Sequence, residues 1–391
     1  MATIKNLDAR PILDSRGEWT LEVEVKLSNG ISARASVPQG KSRGSHEARV
    51  LPASKAVENV KNLNRSLHGI NPENQAEIDA KLIALDGTPN KSKLGANAIL
   101  GISLACARAA AKNKRVPLWR HLRSLLNYKV SKSKKPRLFV NMINGGQHAG
   151  NNLDFQEYLV ILKVSNFTES AKLAAKIYHA LSEYLQKHLG PGSAGIGDEG
   201  GFAPNFQNNI APFAILKQII ARLGLKSKVA FGLDAAASDI KKSKRKFQAF
   251  YNDLFKKYNL FYLEDAFGEE NFADFAALLK KTKGKVWIAG DDLTTTNLLR
   301  ILEAHDAKSI NAIIIKPNQI GTLTEALAVV KQAKKYKWKI IVSHRSGETN
   351  DDFIADFAYA VGADGFKLGA PARGERVAKY NRLLEIEREE N

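Results

Sequence analysis

From residue 138 onward the chain repeats one pattern that few folds accommodate. Short apolar runs alternate with amphipathic helical stretches, and each run ends in a polar or ionisable residue. LFVNMIN ends at Asn144, VAFGLD at Asp234, LFYLE at Glu264, VWIAGD at Asp291, AIIIK at Lys316, KIIVSH at His344 and GFK at Lys367. From Asp234 the ends lie 30, 27, 25, 28 and 23 residues apart, room for one strand, one helix and two loops. Continuous apolar strands joined by helices make a parallel sheet buried on both faces. An open doubly wound sheet would gather ligands at a single switch point. Chemical groups at the ends of five or six successive strands favour closure into a (β/α)8-type barrel, whose functional face is the carboxyl end of its strands. The fold class is therefore α/β.

The first third is patterned differently. TLEVEVKLS and ISARASV alternate apolar and polar residues around Asn29-Gly30, which signals a β-hairpin. Helical periodicity follows near 53–66, 74–84 and 95–112, so this part is a small sheet plus helices, an N-terminal α+β domain. The predicted boundaries are 1–126 for that domain, 127–137 for a linker and 138–391 for the barrel. The linker reading rests on the run SKSKKP, where like charges repel and Pro136 disfavours helix before it.

Charge is unevenly placed. The chain carries 59 Lys+Arg and 40 Asp+Glu, a net of +19. Residues 1–137 hold 25 basic and 11 acidic residues, and between Asp86 and Asp154 lie 13 basic residues with no acid. A positive excess of this size suggests a nucleic-acid binder. Its position allows two readings: a solvated helix end with a linker, or an RNA- or polyanion-binding patch over 91–137. Only Trp119 and Tyr128 are large aromatics in the densest part, poor support for base stacking. Cys106 is the single cysteine, which excludes an intrachain disulfide and fits a reducing compartment. The opening MATIKNLDARPILDSRG has no apolar stretch, so no secretory leader is expected. No apolar run has the roughly 18 residues of a membrane span. The expected location is cytoplasmic.

The strand ends carry the chemistry. Asp234, Glu264 and Asp291 come from consecutive strands, and closing the barrel brings three like charges together. That needs a cation, and oxygen-only ligands suit Mg²⁺ or Mn²⁺. Lys316 and Lys367 end the sixth and eighth strands by this count. A lysine beside another cation, in a site holding divalent metal, has its ammonium form disfavoured and can serve as a general base. Gly197-Asp198-Glu199-Gly200-Gly201-Phe202 is a glycine-rich turn presenting a carboxylate. Asn144 to Gly150 places His148 on a second loop. Ser343 to Glu348 supplies a guanidinium and a hydroxyl suited to phosphate. Together these residues describe a phosphorylated carboxylic acid held on a divalent cation while a lysine removes the proton α to the carboxylate.

The motifs GANAILGISLACARAAA (95–111), VNMINGGQHAGN (140–151), FQEY (155–158), GDEGGFAPN (197–205), GDDLTTTN (290–297), KPNQIGTLTE (316–325), SHRSGETND (343–351) and KYNRLL (379–384) are specific and in order. By them the chain resembles the enolase family over essentially its whole length. The resemblance implies that the first domain caps the barrel and that the reaction is reversible dehydration of 2-phosphoglycerate to phosphoenolpyruvate. It implies Lys316 as the base at C2, Glu199 as the acid at the departing hydroxyl with Glu157 nearby, and Lys367 beside base and substrate carboxylate. It further implies Arg345 and Ser346 on the phosphate, His148 on a mobile loop, and His344 and Gln156 beside the substrate. Asp234, Glu264 and Asp291 match the ligands of a first Mg²⁺, and a second Mg²⁺ is expected. A homodimer or higher homo-oligomer is also implied. An RNA- or surface-binding scaffold using 91–137 is the alternative.

Several positions depart from the family pattern. The loop that normally reads Ser-Gly-Ala-Ser-Thr-Gly is Gln39-Gly40-Lys41-Ser42-Arg43-Gly44 here, so a second-metal ligand would have to be Gln39, and Lys41 and Arg43 add two cations. Arg16-Gly17-Glu18-Trp19-Thr20 differs near the family's dimer contact, Ala266 replaces a proline, and Gly374 interrupts a usual Arg-Ser-Glu-Arg. Shortening after Arg49 and within 239–258 reads as trimmed surface loops.

Overall fold

A computed structural model describes residues 2–41, 44–131, 134–240 and 244–390. Arg43, noted above for its charge, and Lys132 of the SKSKKP run lie outside the described residues.

Three antiparallel strands, β1 (Ile4–Leu13), β2 (Trp19–Leu27) and β3 (Ser32–Ser36), form the first sheet in the order β1-β2-β3. Alternation in β2 sends Leu21, Val23, Val25 and Leu27 to the buried face. The β2–β3 turn is made by Gly30 at φ +87°, a conformation that a side chain disfavours. The helix Ala96–Lys114 packs across β2 and β3 and is buried nearly all round. That accounts for the small residues of GANAILGISLACARAAA: each face has a neighbour, and small side chains allow close approach. At Gly101 an added Cβ would stand 2.5 Å from Val23 Cγ2.

The remaining strands close into a barrel. They are β4 (Arg137–Asn144), β5 (Glu157–Leu162), β6 (Val229–Asp234), β7 (Tyr262–Glu264), β8 (Trp287–Gly290), β9 (Ala312–Ile315), β10 (Lys339–Ser343) and β11 (Gly365–Lys367). The interior is filled by Phe139, Leu159, Ile161, Tyr262, Ala289, Ala312, Ile314 and Ile341, a packed core with no pore. Helices cover the outside. No helix of the described residues is long and apolar enough to cross a membrane.

One expectation needs correction. The sheet is not parallel throughout, because β5 runs antiparallel to both β4 and β6. Residues 145–156 join β4 to β5 with only a short 3-10 turn, Gly146–His148. A connection without a crossover helix returns the chain antiparallel. Glu157 therefore opens its strand at the face where the other strands end.

Candidate active site

Strand register brings the acids together. Glu157 pairs with Asp234 across β5–β6, and Asp234 pairs with Glu264 across β6–β7, so three carboxylates stand in one row. Lys367, at the end of β11, reaches all three. Its Nζ lies 3.2 Å from Glu157, 3.0 Å from Asp234 and 2.8 Å from Glu264. Tyr262, two residues before Glu264 on the same strand face, donates to it at 2.6 Å. Burial and Asp234 push the Glu264 carboxyl up to about 8. Lys367 is fully buried, which opposes its charge, yet the surrounding carboxylates hold it well above the ordinary lysine value.

Lys316 caps the short helix Pro317–Ile320, and Pro317 is preset for a first helical position. One turn on, Gln319 points the same way. Lys316 Nζ pairs with Asp291, and Gln319 Nε2 donates to the other Asp291 oxygen at 2.8 Å. Asp291 and Lys316 thus complete the carboxyl face. Among the protein's own groups, Asp291 sets the state of Lys316. Burial disfavours its ammonium form, but Asp291 outweighs burial and raises its pKa. Asp291 is itself held low against its burial by Lys316 and Lys367.

A second group gathers at the glycine-rich turn. Glu199 accepts from Asn141 Nδ2 at 2.8 Å and faces His148 Nδ1 at 3.5 Å and His344 Nε2 at 3.4 Å. His344 Nδ1 takes a hydrogen bond from Arg376 at 2.6 Å. A guanidinium only donates, so the imidazole proton sits on Nε2, toward Glu199. Burial pushes His344 down to about 3, so it is neutral at working pH. Burial alone would raise Glu199, but the two imidazoles and Arg376 hold it well below the usual carboxylate range. Burial and the Glu199 charge push Glu157 well up.

Arg345 forms a two-pronged pair with Glu47 of the first domain, at 3.0 Å on each oxygen, and donates to Asn318 at 3.1 Å. Gly40 rests on its guanidinium, where an added Cβ would stand within 1.7 Å. Lys41 donates from its backbone to Ser346 Oγ at 2.9 Å, and its ammonium pairs with Asp198 at 3.2 Å. Gly40 and Lys41 thus lie against the two expected phosphate contacts. Gln39 does not join the acids through its side chain: its amide donates to the Trp19 carbonyl at 2.9 Å. Gln156 lies under Asp234, with its backbone N–H bonded to the Asp234 carbonyl at 3.1 Å.

The donor chemistry fits a hard divalent cation. Asp265, Asp291 and Asp292 place ligand atoms within 4.8 Å of one another, as do His148, Glu157 and Glu199. Burial and Asp291 push Asp292 up to about 8, the mark of carboxylates crowded without enough positive charge. Among the described residues, Gln156 Oε1, Glu157 Oε2 and Asn141 Oδ1 are buried with no hydrogen-bond partner. Buried oxygens of this kind ask for a ligand or cation. The expected set Asp234, Glu264 and Asp291 is presented at this face, with Lys367 holding the first two and Lys316 the third.

Sequence reasoning missed Glu47, Arg376, Asn141 and Gln319. Gln319 was within reach, three residues after Lys316 in a motif that begins a helix. Glu47 and Arg376 act on Arg345 and His344 across long chain separations and leave no local signal.

Comparison with known proteins bears on the whole chain. Residues 4–122 match the family model described as the enolase N-terminal domain, and residues 133–391 the one described as the enolase C-terminal TIM barrel domain. The chain is 42% identical to an enolase of Methanopyrus kandleri, covering 99% of this chain and 96% of that protein. It is 43% identical to an enolase of Nitratiruptor sp., covering 100% and 97%. It is 41% identical to an enolase of Solanum lycopersicum, covering 100% and 96%.

Proposed function

The chain belongs to the enolase family, and from that premise we propose how its residues carry out the reaction. The activity is that of a hydro-lyase: reversible dehydration of 2-phospho-D-glycerate to phosphoenolpyruvate in glycolysis and gluconeogenesis. Arg345 and Ser346 hold the substrate phosphate, with Glu47 fixing the orientation of the guanidinium. Lys367 lies beside the substrate carboxylate. Lys316 takes the proton from C2. The C3 hydroxyl then leaves as water with a proton from the Glu199–Glu157 pair, beside which His148 and neutral His344 stand. Magnesium on Asp234, Glu264 and Asp291, with a second ion on the substrate side, would supply the charge that makes a proton next to a carboxylate removable. Lys316 is charged while Asp291 is its partner, and it becomes a base once that carboxylate is engaged elsewhere. Gln39 would join a second ion through its side chain only after leaving the Trp19 carbonyl.

The observation that carries this reading is the row Glu157–Asp234–Glu264 converging on Lys367, with the Asp291–Lys316 pair at the same face. The test follows phosphoenolpyruvate formation by its ultraviolet absorbance, with and without magnesium. Activity should require the metal, and Lys316→Ala should lower kcat by about 10³-fold, the scale of a lost general base. No product at saturating magnesium would overturn the reading. We further propose a cytoplasmic homodimer or larger homo-oligomer. The scaffold alternative gains no support from residues 91–131, whose described cations are largely engaged within the molecule. Lys91 pairs with Glu325, Arg108 with Asp351 and Asp352, and Lys114 with Glu73.

A further inference from the structure

The end of the barrel opposite the catalytic acids carries a different electrostatic character. Arg137 opens β4, Val229 opens β6, and Phe261 and Lys285 precede β7 and β8. Lys163 follows β5 and reaches the same end because that strand is antiparallel. These residues line a pocket of about 510 Å³, within the ~300–1,000 Å³ range of small-molecule sites. Its cations are Arg137, Lys163, Lys217, Lys226 and Lys285, and no acidic residue lines it. Nearby acids are engaged by other lysines: Glu169 with Lys228 at 3.1 Å, and Asp364 with Lys134 at 3.3 Å and Lys339 at 3.7 Å. Lys217 donates to the Lys257 carbonyl and lies over the Tyr258 ring. Aromatic side chains form much of the wall. Phe231, Tyr258 and Phe261 line it, and the Arg137 guanidinium lies over Phe261 at 5.4 Å and Trp287 at 5.6 Å.

We propose that this pocket is an anion site for a compact oligophosphate, the di- or triphosphate chain of a nucleotide or inorganic polyphosphate. Five cations around a concave, partly apolar wall focus positive potential into it, and a ligand of several negative charges gains most from that field. Arg137, lying over aromatic rings, keeps its fork edge for phosphate oxygens, while the lysines add mobile point charges around it. A single carboxylate would leave most of these cations unneutralised. The site is independent of the catalytic reading, since none of the five cations belongs to the carboxyl face.

The test is calorimetric titration of the full-length protein with inorganic tripolyphosphate, repeated with the nucleoside triphosphate ATP. The comparison variant is Lys163→Glu/Lys285→Glu, two exposed positions outside the catalytic machinery. The expected result is saturable binding that weakens as salt is raised. The double variant should bind about tenfold more weakly or worse, since each lost charge-assisted phosphate contact is replaced by repulsion. Its thermal unfolding and its turnover of 2-phosphoglycerate should stay as in the parent. Tighter binding of ATP than of tripolyphosphate would assign the aromatic wall to a base, and equal binding would assign the site to the phosphate chain alone. Absence of saturable binding, equal affinity in the double variant, or binding of RNA but not tripolyphosphate would overturn the proposal.

Discussion

His121 is buried in the helix Leu118–Ser124 with neither ring nitrogen hydrogen-bonded among the described residues, and burial pushes its imidazole down to about 4 from 6.5. Between these values the unfolded chain binds a proton that the folded chain refuses. Its contribution to stability is therefore complete above about pH 6.5 and is lost as pH falls toward 4. His121→Leu should flatten the acid side of the stability profile by about 3 kcal/mol between pH 7 and 4. Urea unfolding at both pH values measures it, and an unchanged slope would refute the assignment. His344, pushed to about 3, acts in the same direction, so some slope will persist. The contrast marks what was legible residue by residue. Acids, lysines and the Arg345-Ser346 pair were visible because they sit at or just after strand ends in a repeating frame. Their states were not. Glu47 lies 298 residues from Arg345, and Asp291 takes its charge state from Lys316 on the next strand's end.

At the scale of elements, the helix Ala96–Lys114 tests whether close packing or intrinsic propensity governs. Alanine is a better helix former than glycine by roughly 1 kcal/mol. At Gly101, however, the new methyl would meet Val23 at 2.5 Å, and a β-branched residue inside a sheet has no free rotamer to yield. Gly101→Ala should therefore destabilise the protein by about 1–2 kcal/mol. Denaturant unfolding should show a lower midpoint with an unchanged slope; a raised midpoint would mean propensity wins. The same balance of local and tertiary terms explains β5. EYLVIL is apolar on both faces and carries no sign of direction. Only the connection before it, too short in regular structure for a crossover helix, turns the strand around. The hairpin at Asn29-Gly30 was readable because its turn residues and its alternation are both local.

For the whole molecule, the acid-free stretch between Asp86 and Asp154 is neutralised in part by acids brought from elsewhere in the chain. Five of its described cations meet acids of the barrel or of the first domain, among them Lys135 with Glu387 at 2.8 Å and Glu390 at 3.5 Å, and Lys134 with Asp364. Arg108 joins the helix Ala96–Lys114 to Asp351 and Asp352 at 2.7 Å each, locking the first domain to the barrel. Asp351 also accepts the Ser36 and Phe353 backbone N–H groups, so it stays satisfied without the arginine. Arg108→Ala should then cost about 2 kcal/mol, less than a fully buried broken pair. Thermal melting measures this, and an unaltered midpoint would remove Arg108 from the interdomain contact.

The sequence by itself determined the barrel, the hairpin and the identity of the strand-end groups. Their signals are periodic and short in range: alternation at two residues, helical repeats, and a unit of some 25 residues between ionisable ends. Tertiary structure alone decided the direction of β5, the charged neighbours of Lys316 and of the Glu157–Glu199 pair, and which cations of the basic stretch meet acids. Each depends on a charge or a backbone brought close from a remote part of the chain, and Coulomb and hydrogen-bond energies follow distance in space, to which separation in sequence is no guide.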